Sequence, residues 1–212
     1  MRSVILGAGE YGQVFKSLLS ESGINVIGFL DDNPKLQNQM VMGLPVLGDM
    51  SILKDLRNKY DVDSVYCPIG NNHVRVRLLT EAKQLGYETP NYFHPLAYVS
   101  PDVKLGSGVY ALFGTYIMPN ATLEDFVMLS MNVGVGHDCV LEKGVFLSSG
   151  CNFGGAIRAK QYAFCGMGTT IMTGTHELGE ACLIGAGAVV IREVPDKAVM
   201  AGVPAKILKY RE

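Results

Sequence analysis

Residues 97–192 repeat with a period of six. They divide without a gap into 16 hexads, from AYVSPD at residue 97 to GAVVIR, which ends at residue 192. The first position of every hexad is Gly, Ala, Cys, Thr, Val or Ile, and the third is Leu, Ile or Val in 11 of the 16. The exceptions at the third position are Ala111, Phe153, Ala159, Cys165 and Glu177. Because strands of an ordinary sheet alternate with a period of two, this register indicates a repeat architecture.

A period of six predicts a parallel β-helix. One short strand and one corner use six residues, so three such segments close a triangular coil of about 18 residues that stacks on the next coil. The large aliphatic residue of each hexad then fills the interior, and the small residue fits the crowded corner. With strands about 4.8 Å apart, the repeat gives roughly five coils about 25 Å tall. Glu177 is the misfit at an interior position, and it marks either a distorted coil or a carboxylate that faces a partner subunit.

Residues 1–95 follow a different pattern, in which strands alternate with helices. The hydrophobic spacing predicts strands over 2–6, 25–30 and 62–69, helices over 11–22, 50–59 and 72–85, and a fourth strand with a linker over 89–95. This alternation predicts a small parallel sheet with right-handed crossovers, a Rossmann-like α/β domain. We therefore expect two domains, 1–95 and 96–212. The second should end in a polar cap over 193–212, with a short terminal strand or helix.

Composition argues against several classes of protein. The chain has 212 residues, with 18 Lys and Arg against 20 Asp and Glu, a balance that does not suit a protein that binds mainly nucleic acid. No run of 18 apolar residues is present, so we expect no membrane span, and the N-terminal apolar run is too short for a signal peptide. Five Cys without a CxxC pair fit a reducing compartment, and we expect a cytoplasmic protein.

The segment GAGEYG, residues 7–12, matches the GxGxxG pattern in the context that it needs, between a strand and a helix. Its glycines let backbone N–H groups approach an anionic ligand at a helix N-terminus. Acidic and amide side chains follow the next two strands, and ligands bind such sheets at the carboxyl ends of the strands. The candidate contacts are Gly9, Glu10, Tyr11, Gly12, Asp31, Asp32, Gly70 and Asn71.

The expected ligand of this motif is a nucleotide or a sugar nucleotide. About 95 residues supply little more than one mononucleotide-binding half, so NAD is less favoured, and an NAD(P)-dependent oxidoreductase is a remote alternative. A tight strand–helix turn without any ligand would give the same pattern.

Among the four histidines, His137 is the best candidate for a general base. It occupies the fifth position of its hexad, beyond the interior residue Val135, so it should project outward, and Asp138 follows it directly. An outward imidazole beside a carboxylate can act as a base near neutral pH, although a surface His without function fits the same pattern. His176, next to Glu177, is a second and weaker candidate.

A metal site is not expected. Only two histidines lie on the repeat, which is too few for zinc without Cys ligands. Four cysteines lie on the repeat as well, mostly at positions for small apolar residues, so neither a metal site nor a cysteine nucleophile is predicted. These cysteines are Cys139, Cys151, Cys165 and Cys182.

Seven short motifs follow one another in an order that resembles a known family over nearly the full chain. They are GAGEYG, FLDD, PIGNN, FHPLAYVSPDV, GHDC, GAGAVV and GVPAK. The chain resembles the bacterial left-handed β-helix acyltransferases with a small N-terminal nucleotide-binding domain. These include N-acetyltransferases of nucleotide-linked 4-amino sugars and sialic acid O-acetyltransferase-like proteins. The resemblance implies acetyl-CoA as donor, direct transfer to the 4-amino group of a nucleotide-linked deoxy-amino sugar, and a homotrimer with sites between adjacent subunits.

The resemblance also implies roles for single residues. His137 matches the catalytic base and Asp138 the acid that raises its basicity. Met167 and Gly185 match positions whose backbone meets acetyl-CoA. The residues that match nucleotide-sugar contacts are Gly9, Glu10, Tyr11, Asp31, Asp32 and Gly70.

Two positions depart from the family pattern. Ser130 stands where members often place an Asn near the acceptor amine, and Phe146 stands where many have a second His that touches acetyl-CoA. Two alternatives therefore stay open beside N-acetyl transfer. They are O-acetylation of a sugar hydroxyl, and a non-catalytic scaffold trimer that binds a sugar nucleotide.

Overall fold

The structure is a computed structural model that describes all 212 residues, Met1–Glu212. The chain divides into two compact units, Met1–Pro90 and Asn91–Glu212. None of its helices combines the length and the apolar character that crossing a membrane requires.

The first unit is a five-stranded sheet with helices. Its strands are β1 (Ser3–Leu6), β2 (Val26–Leu30), β3 (Met40–Val41), β4 (Leu44–Gly48) and β5 (Ser64–Tyr66), in the order β3-β4-β2-β1-β5. Its helices are α1 (Glu10–Glu21), α2 (Leu56–Tyr60) and α3 (Asn72–Gln84), with 3-10 turns at Pro34–Leu36 and Met50–Asp55. The pairs β1–β2, β1–β5 and β2–β4 are parallel, as the alternation of strands and helices predicts.

Two elements of this unit differ from the sequence-based expectation. The hairpin of β3 and β4 was not predicted, and it extends the sheet beyond β2. The segment 89–95 was expected to add a fourth strand, but only Glu88 bridges to Ser64 at the sheet edge. The strand Tyr92–Phe93 pairs instead with Tyr110–Ala111 in the second unit.

The second unit is a parallel β-helix with three faces. Face 1 contains β6 (Tyr92–Phe93), β9 (Tyr110–Ala111), β12 (Met128–Leu129), β15 (Phe146–Leu147), β18 (Phe164–Cys165), β21 (Leu183–Ile184), β23 (Ala198–Ala201) and β24 (Lys206–Tyr210). Face 2 contains β7 (Tyr98–Val99), β10 (Tyr116–Ile117), β13 (Gly134–Val135), β16 (Asn152–Phe153), β19 (Thr170–Ile171) and β22 (Val189–Val190). Face 3 contains β8 (Lys104–Leu105), β11 (Thr122–Leu123), β14 (Val140–Leu141), β17 (Arg158–Ala159) and β20 (Glu177–Leu178).

Each coil passes along face 1, face 2 and face 3 in turn. We call the corner between faces 1 and 2 the 1–2 corner, and the corner between faces 2 and 3 the 2–3 corner. The third residue of most hexads lies inside, and residues such as Ile117, Val135 and Leu141 have no exposed surface. The C-terminal segment continues face 1 with β23 and turns back as the antiparallel strand β24. The expected terminal strand is therefore present.

The hexad register does not run unbroken to residue 192. Neighbouring coils pair residues eighteen apart, as in Phe153 and Ile171, but nineteen apart afterwards, as in Ala159 and Leu178. One extra residue is therefore accommodated between Ile171 and Leu178. The expectation of 16 hexads without a gap was wrong at this point, because the loop can bulge outward while both flanking coils keep their pairing.

The register shift explains Glu177. Leu178, Ile184 and Val190 fill the interior in place of the preceding residue of each strand. Glu177 points outward and forms an ion pair with Lys160, with 2.7 Å between Oε1 and Nζ. Of the two sequence-based readings, the distorted coil accounts for the misfit.

The register shift predicts that substitutions at two adjacent residues, Leu183 and Ile184, lower the stability by different amounts. Ile184→Ala should lower the free energy of unfolding by about 2–5 kcal/mol, because Ile184 is fully buried among core side chains. Leu183→Ala should cost only about 1 kcal/mol, because Leu183 is half-buried on the outer side of the same strand. Denaturant unfolding of both variants measures this, and a larger loss for Leu183→Ala would contradict the shifted register.

Candidate active site

His137 and Asp138 form a hydrogen-bonded pair at the 2–3 corner between β13 and β14. Nδ1 of His137 lies 2.7 Å from Oδ2 of Asp138, and the two side chains are 63% and 50% exposed. The backbone of the pair is held by its neighbouring coils, since the Asp138 N–H donates to the Pro119 carbonyl and the His137 carbonyl accepts from the Ala156 N–H. The outward projection predicted for His137 is therefore observed.

The environment keeps Asp138 ionised. A hydrogen bond from the His137 ring, followed by one from the Asn120 side chain, holds the pKa of Asp138 below its ordinary value. An ionised carboxylate only accepts hydrogen bonds, so Nδ1 of His137 carries the proton that joins the pair. In the neutral ring, Nε2 is then the basic atom, and it belongs to an exposed side chain.

Glycines make room for the His137 ring. A Cβ atom at Gly155, in the next coil, would lie 2.5 Å from Nε2 and 2.7 Å from Cε1 of His137. Gly136 and Gly154 let the coils approach closely, because a Cβ at Gly136 would lie 2.6 Å from the Gly154 carbonyl carbon. The position of the ring thus depends on a residue without a side chain eighteen positions further along.

His176 and His94 have different surroundings. His176 is exposed in the loop that takes up the extra residue, and its neighbour Glu177 is paired with Lys160. His94 accepts a hydrogen bond from the Leu96 N–H and packs edge-on against Phe113. The structure places no group of three or more His, Cys, Asp or Glu side chains where it could hold a metal ion.

Cys139 follows the pair but is not placed as a nucleophile. It is fully buried, and burial raises the pKa of its thiol. Its Sγ donates to the Gly154 carbonyl oxygen over 3.1 Å. All five cysteines are free thiols and buried, which agrees with their role as small interior residues.

The positions matched to acetyl-CoA contacts lie at a different corner. Met167 and Gly185 occupy the 1–2 corner in adjacent coils, and the Gly187 N–H donates to the Met167 carbonyl over 2.8 Å. Met167 is 64% exposed. The structure thus brings Met167 and Gly185 together, and face 2 separates them from the His137–Asp138 pair.

Ser130 and Phe146 are both buried within this chain. Ser130 is 2% exposed at the 1–2 corner, and its Oγ lies 2.9 Å from Oγ of Ser149. Phe146 lies on face 1, where its ring stacks edge-on against Phe164. Within one chain, therefore, neither side chain is brought next to His137.

The glycine motif lines a cleft of about 300 Å³ in the first unit. The cleft brings together most of the predicted contacts of this unit: Gly9, Glu10, Tyr11, Gly12, Asp31 and Gly70, joined by Gly7, Pro68 and Ile69. Gly12 must lack a side chain, because a Cβ there would overlap the Gly7 carbonyl oxygen. A larger cavity, of about 390 Å³, lies on face 3 between Lys104 and Lys143 and contains neither motif.

Two predicted contacts do not line this cleft. Asp32 accepts a hydrogen bond from the Met50 N–H, and Asn71 caps α3 by accepting from the Val74 N–H. Asp31 lines the cleft and also holds the loop, since its two oxygens accept from the N–H groups of Ala8 and Asn33. Turn and cap formation explains why acidic and amide residues follow these strands.

Arg75 is a site-supporting residue that sequence reasoning missed. It is fully buried, and its guanidinium donates to the Ile69 carbonyl oxygen and to Oδ1 of Asn72. These bonds fix the loop that forms one wall of the cleft. A basic residue within a helix of mixed polarity gives no sequence signal for such a role.

These features define a class of protein. A parallel β-helix of hexapeptide repeats, with an exposed His–Asp pair at a corner and a glycine-lined cleft in a small α/β unit, is the architecture of a hexapeptide-repeat acyltransferase.

Comparison with known proteins gives the family. Residues 2–82 match the family described as the PglD N-terminal domain. The structure superposes with a TM-score of 0.93 on a perosamine N-acetyltransferase mutant from Caulobacter crescentus in complex with CoA and GDP-perosamine, at 32% identity over 99% of this chain and 97% of that chain. It superposes with a TM-score of 0.90 on the acetyltransferase domain of PglB from Neisseria gonorrhoeae in complex with acetyl coenzyme A, at 31% identity over 98% of both chains.

Curated relatives match over shorter stretches. Serine acetyltransferase 2 from Arabidopsis thaliana is 30% identical over 120 residues, which are 52% of this chain and 37% of that protein. The chain spans 23% of the length of an uncharacterized protein of Acanthamoeba polyphaga mimivirus. The full-length structural relatives are decisive, and the chain belongs to the hexapeptide-repeat family of bacterial sugar acetyltransferases, enzymes with the left-handed β-helix fold.

The glycine at position 155 provides a direct test of the His137 position. Gly155→Ala should lower the acyl-transfer rate by roughly a hundredfold, because the three atoms nearest the added Cβ all belong to the His137 ring. Gly155 does not have a positive φ, so alanine fits its backbone, and the thermal midpoint should stay near that of the wild type. A variant with full activity would show that the ring position does not matter.

Proposed function

We propose that this protein transfers the acetyl group of acetyl-CoA to the 4-amino group of a nucleotide-linked deoxy-amino sugar. The observation that carries the proposal is the exposed His137–Asp138 pair, in which Nδ1 lies 2.7 Å from Oδ2. The Nε2 atom of the same ring lies next to Gly155. The glycine-lined cleft of the first unit offers a place for the nucleotide. The complexes of the similar perosamine N-acetyltransferase with CoA and GDP-perosamine support this choice of donor and acceptor.

His137 acts as the general base. The amine nitrogen attacks the thioester carbonyl carbon, the C–S bond breaks, and CoA leaves as a thiolate, to which His137 returns the proton that it takes from the amine. Nε2 of His137 takes the proton that the amine loses, and the ionised Asp138 stabilises the imidazolium. Because a thioester is already activated, direct transfer within a ternary complex needs no covalent enzyme intermediate. Positioning of the amine against the thioester supplies most of the remaining rate.

The proposed contacts distribute over the two units. Gly9, Glu10, Tyr11, Gly12, Asp31 and Gly70 would contact the nucleotide sugar, with Asp32 and Asn71 shaping the loops behind them. The backbone at Met167 and Gly185 would meet acetyl-CoA. Ser130, which matches a position near the acceptor amine, is buried in this chain and lies against Ser149. It would therefore affect the acceptor indirectly.

A homotrimer completes the proposed site. Large apolar side chains are exposed on face 2 and its two corners: Tyr98, Phe113, Tyr116, Met118, Met167 and Met172. Exposed apolar area of this kind favours contact with another chain. A second copy against face 2 would reach both the His137 corner and the Met167 corner, so each site would lie between subunits. The five free thiols favour the cytoplasm as the compartment.

Release of CoA tests the reaction. Thiol release from acetyl-CoA should appear with one of the UDP-, dTDP- or GDP-linked 4-amino-4,6-dideoxy sugars, and not with the matching 4-hydroxy sugars or free sialic acid. Release with a hydroxyl acceptor only would replace N-acetylation by O-acetylation. Tight binding of a sugar nucleotide without any CoA release would favour the scaffold trimer.

Replacement of the base tests the mechanism. His137→Ala should lower kcat by roughly 10²–10⁴-fold, the usual contribution of a general base, with acetyl-CoA still bound. His176→Ala is the matched control, because His176 is exposed on the same β-helix without a carboxylate partner of this kind. Near wild-type turnover of His137→Ala would contradict the assignment.

The charge of Asp138 should matter throughout the neutral range. The hydrogen bond from His137 lowers the pKa of Asp138, so its negative charge is present at every pH in that range. Asp138→Asn removes that charge, and the imidazolium that forms during transfer then has no counter-charge beside it. We expect kcat/KM to fall roughly tenfold across the neutral range. A kcat/KM equal to that of the wild type would show that Asp138 does not act on His137.

A further inference from the structure

Arg75 lies behind one wall of the glycine-lined cleft in the first unit. It belongs to the first half of α3, and its side chain has no exposed surface. Its Nη1 donates to the Ile69 carbonyl oxygen over 2.8 Å, and its Nη2 donates to Oδ1 of Asn72 over 3.0 Å. Ile69 and Gly70 line the cleft, whereas Arg75 itself does not. The guanidinium therefore reaches the cleft wall from the interior of the unit.

A fully buried arginine needs a reason, because removing a charge from water is costly unless hydrogen bonds compensate for the loss. An apolar side chain of similar size would fill the same space, and such replacements are often neutral or stabilising. The guanidinium of Arg75 spends one of its hydrogen bonds on the carbonyl oxygen of a loop residue that borders the cleft. Its position thus indicates a role in the conformation of that loop, beyond packing.

The bond to Ile69 fixes the orientation of the peptide that joins Ile69 to Gly70. This peptide is trans, and in a trans peptide the C=O group and the following N–H group point in opposite directions. Because the Ile69 carbonyl oxygen is turned towards the buried Arg75, the Gly70 N–H points to the other side, where Gly70 borders the cleft. Gly70 is exposed, and its N–H donates to no acceptor within the chain.

The surroundings of this N–H favour a negatively charged oxygen. Glu10 begins α1 at the same cleft, and Asn71, the N-cap residue of α3, follows Gly70 directly. Backbone N–H groups at helix N-termini attract anions. The hydrogen bond from the charged guanidinium also polarises the Ile69–Gly70 peptide, which makes its N–H a stronger donor. The ligand group that suits the Gly70 N–H is therefore an oxygen of a diphosphate.

We propose that Arg75 is a positioning residue, which holds the Ile69–Gly70 peptide so that the Gly70 N–H donates to a diphosphate oxygen of the sugar nucleotide. The proposal rests on the proposed function, because it requires that the cleft binds a sugar nucleotide. Arg75 acts through the peptide and does not touch the ligand. Without the guanidinium the peptide is free to turn over, and a carbonyl oxygen would then face the diphosphate and repel it.

The first experiment observes the Gly70 amide by NMR in the full-length protein labelled with ¹⁵N-glycine. Gly70→Ala assigns the signal, because Gly70 does not have a positive φ and alanine fits its backbone. UDP, dTDP and GDP are the diphosphate probes, and uridine, thymidine and guanosine are the matched probes without phosphate. The diphosphate that binds should move the Gly70 amide proton downfield, and its nucleoside should not. A bound diphosphate that leaves the Gly70 signal unmoved would overturn the proposal, as would the binding of none of the three.

The second experiment measures the Kd of the same probes for three variants of α3. Arg75→Met removes the guanidinium, Arg75→Lys keeps the charge and one donor, and Arg77→Met is the matched control, since it removes the same charge from an exposed position. Arg75→Met should raise the Kd of the nucleoside diphosphate roughly tenfold, the change expected from one hydrogen bond to a charged group. Arg75→Lys should recover part of the loss, and Arg77→Met should behave like the wild type.

The nucleoside shows whether the substitution acts on the diphosphate alone. Folded Arg75→Met should bind the nucleoside as the wild type does, because the effect is confined to one N–H group. An equal loss of affinity for the nucleoside and the diphosphate would overturn the proposal, since it would show collapse of the whole cleft. If thermal unfolding shows that Arg75→Met does not fold, Arg75→Lys and the wild-type NMR signal of Gly70 decide.

Kinetics distinguish this role from the chemical step. Arg75→Met should raise the KM of the sugar nucleotide roughly tenfold and leave kcat and the KM of acetyl-CoA unchanged, because a binding contact is lost. A lower kcat with an unchanged KM would contradict the proposal. If a diphosphate moves the Gly70 signal but no acceptor gives CoA release, the proposed function fails and the role of Arg75 stands. If CoA is released while the Gly70 signal does not respond, the role of Arg75 fails and the proposed function stands.

Discussion

Stacking of short parallel strands around a filled interior is the constraint on which the second unit depends. Its strands from β6 to β22 contain only two residues each, and such segments have no stability of their own. Each coil is held by backbone hydrogen bonds to its neighbours and by aliphatic side chains in register inside them, such as Ile117, Val135 and Phe153. This register makes residues eighteen apart in sequence neighbours in space. The site follows the same rule, because Gly155, eighteen residues further along, lies against His137.

The corners explain why polar chemistry can reside on such a fold. A corner of the β-helix requires a residue in the left-handed region, which Asp and Asn tolerate better than other residues with a side chain. Asp138 therefore satisfies the turn and carries the charge with the same residue, and Asn120 satisfies the equivalent turn one coil earlier. Glycines in the next coil then decide whether a large ring can lie beside the corner. A polar pair of this kind needs no extra loop, only a choice of residue at positions that the fold already exposes.

The period of six was sufficient to predict the β-helix, the outward direction of His137 and its pairing with Asp138. It could not reveal the extra residue after Ile171, because Leu183–Ile184 and Val189–Val190 offer an aliphatic residue in either register. Only Glu177 disagreed with the unbroken repeat. In the first unit, the motif located the cleft, but the structural roles of Asp32, Asn71 and Arg75 depend on hydrogen-bond partners that the tertiary fold selects. Residue propensities and motif spacing in the sequence do not identify those partners.

In both candidate sites, the backbone geometry determines where the functional groups lie. No Lys or Arg lines the cleft of the first unit, and Glu10 and Asp31 are its charged residues. A diphosphate bound there would be held by N–H groups and the dipole of α1 rather than by opposite charge, which favours orientation over raw affinity. At the 2–3 corner, backbone hydrogen bonds likewise fix the position of the His137 backbone. The Asp138 carboxylate then determines which nitrogen of the His137 ring is basic. Few side chains are needed for the chemistry, because the repeat and the strand–helix turn have already placed them.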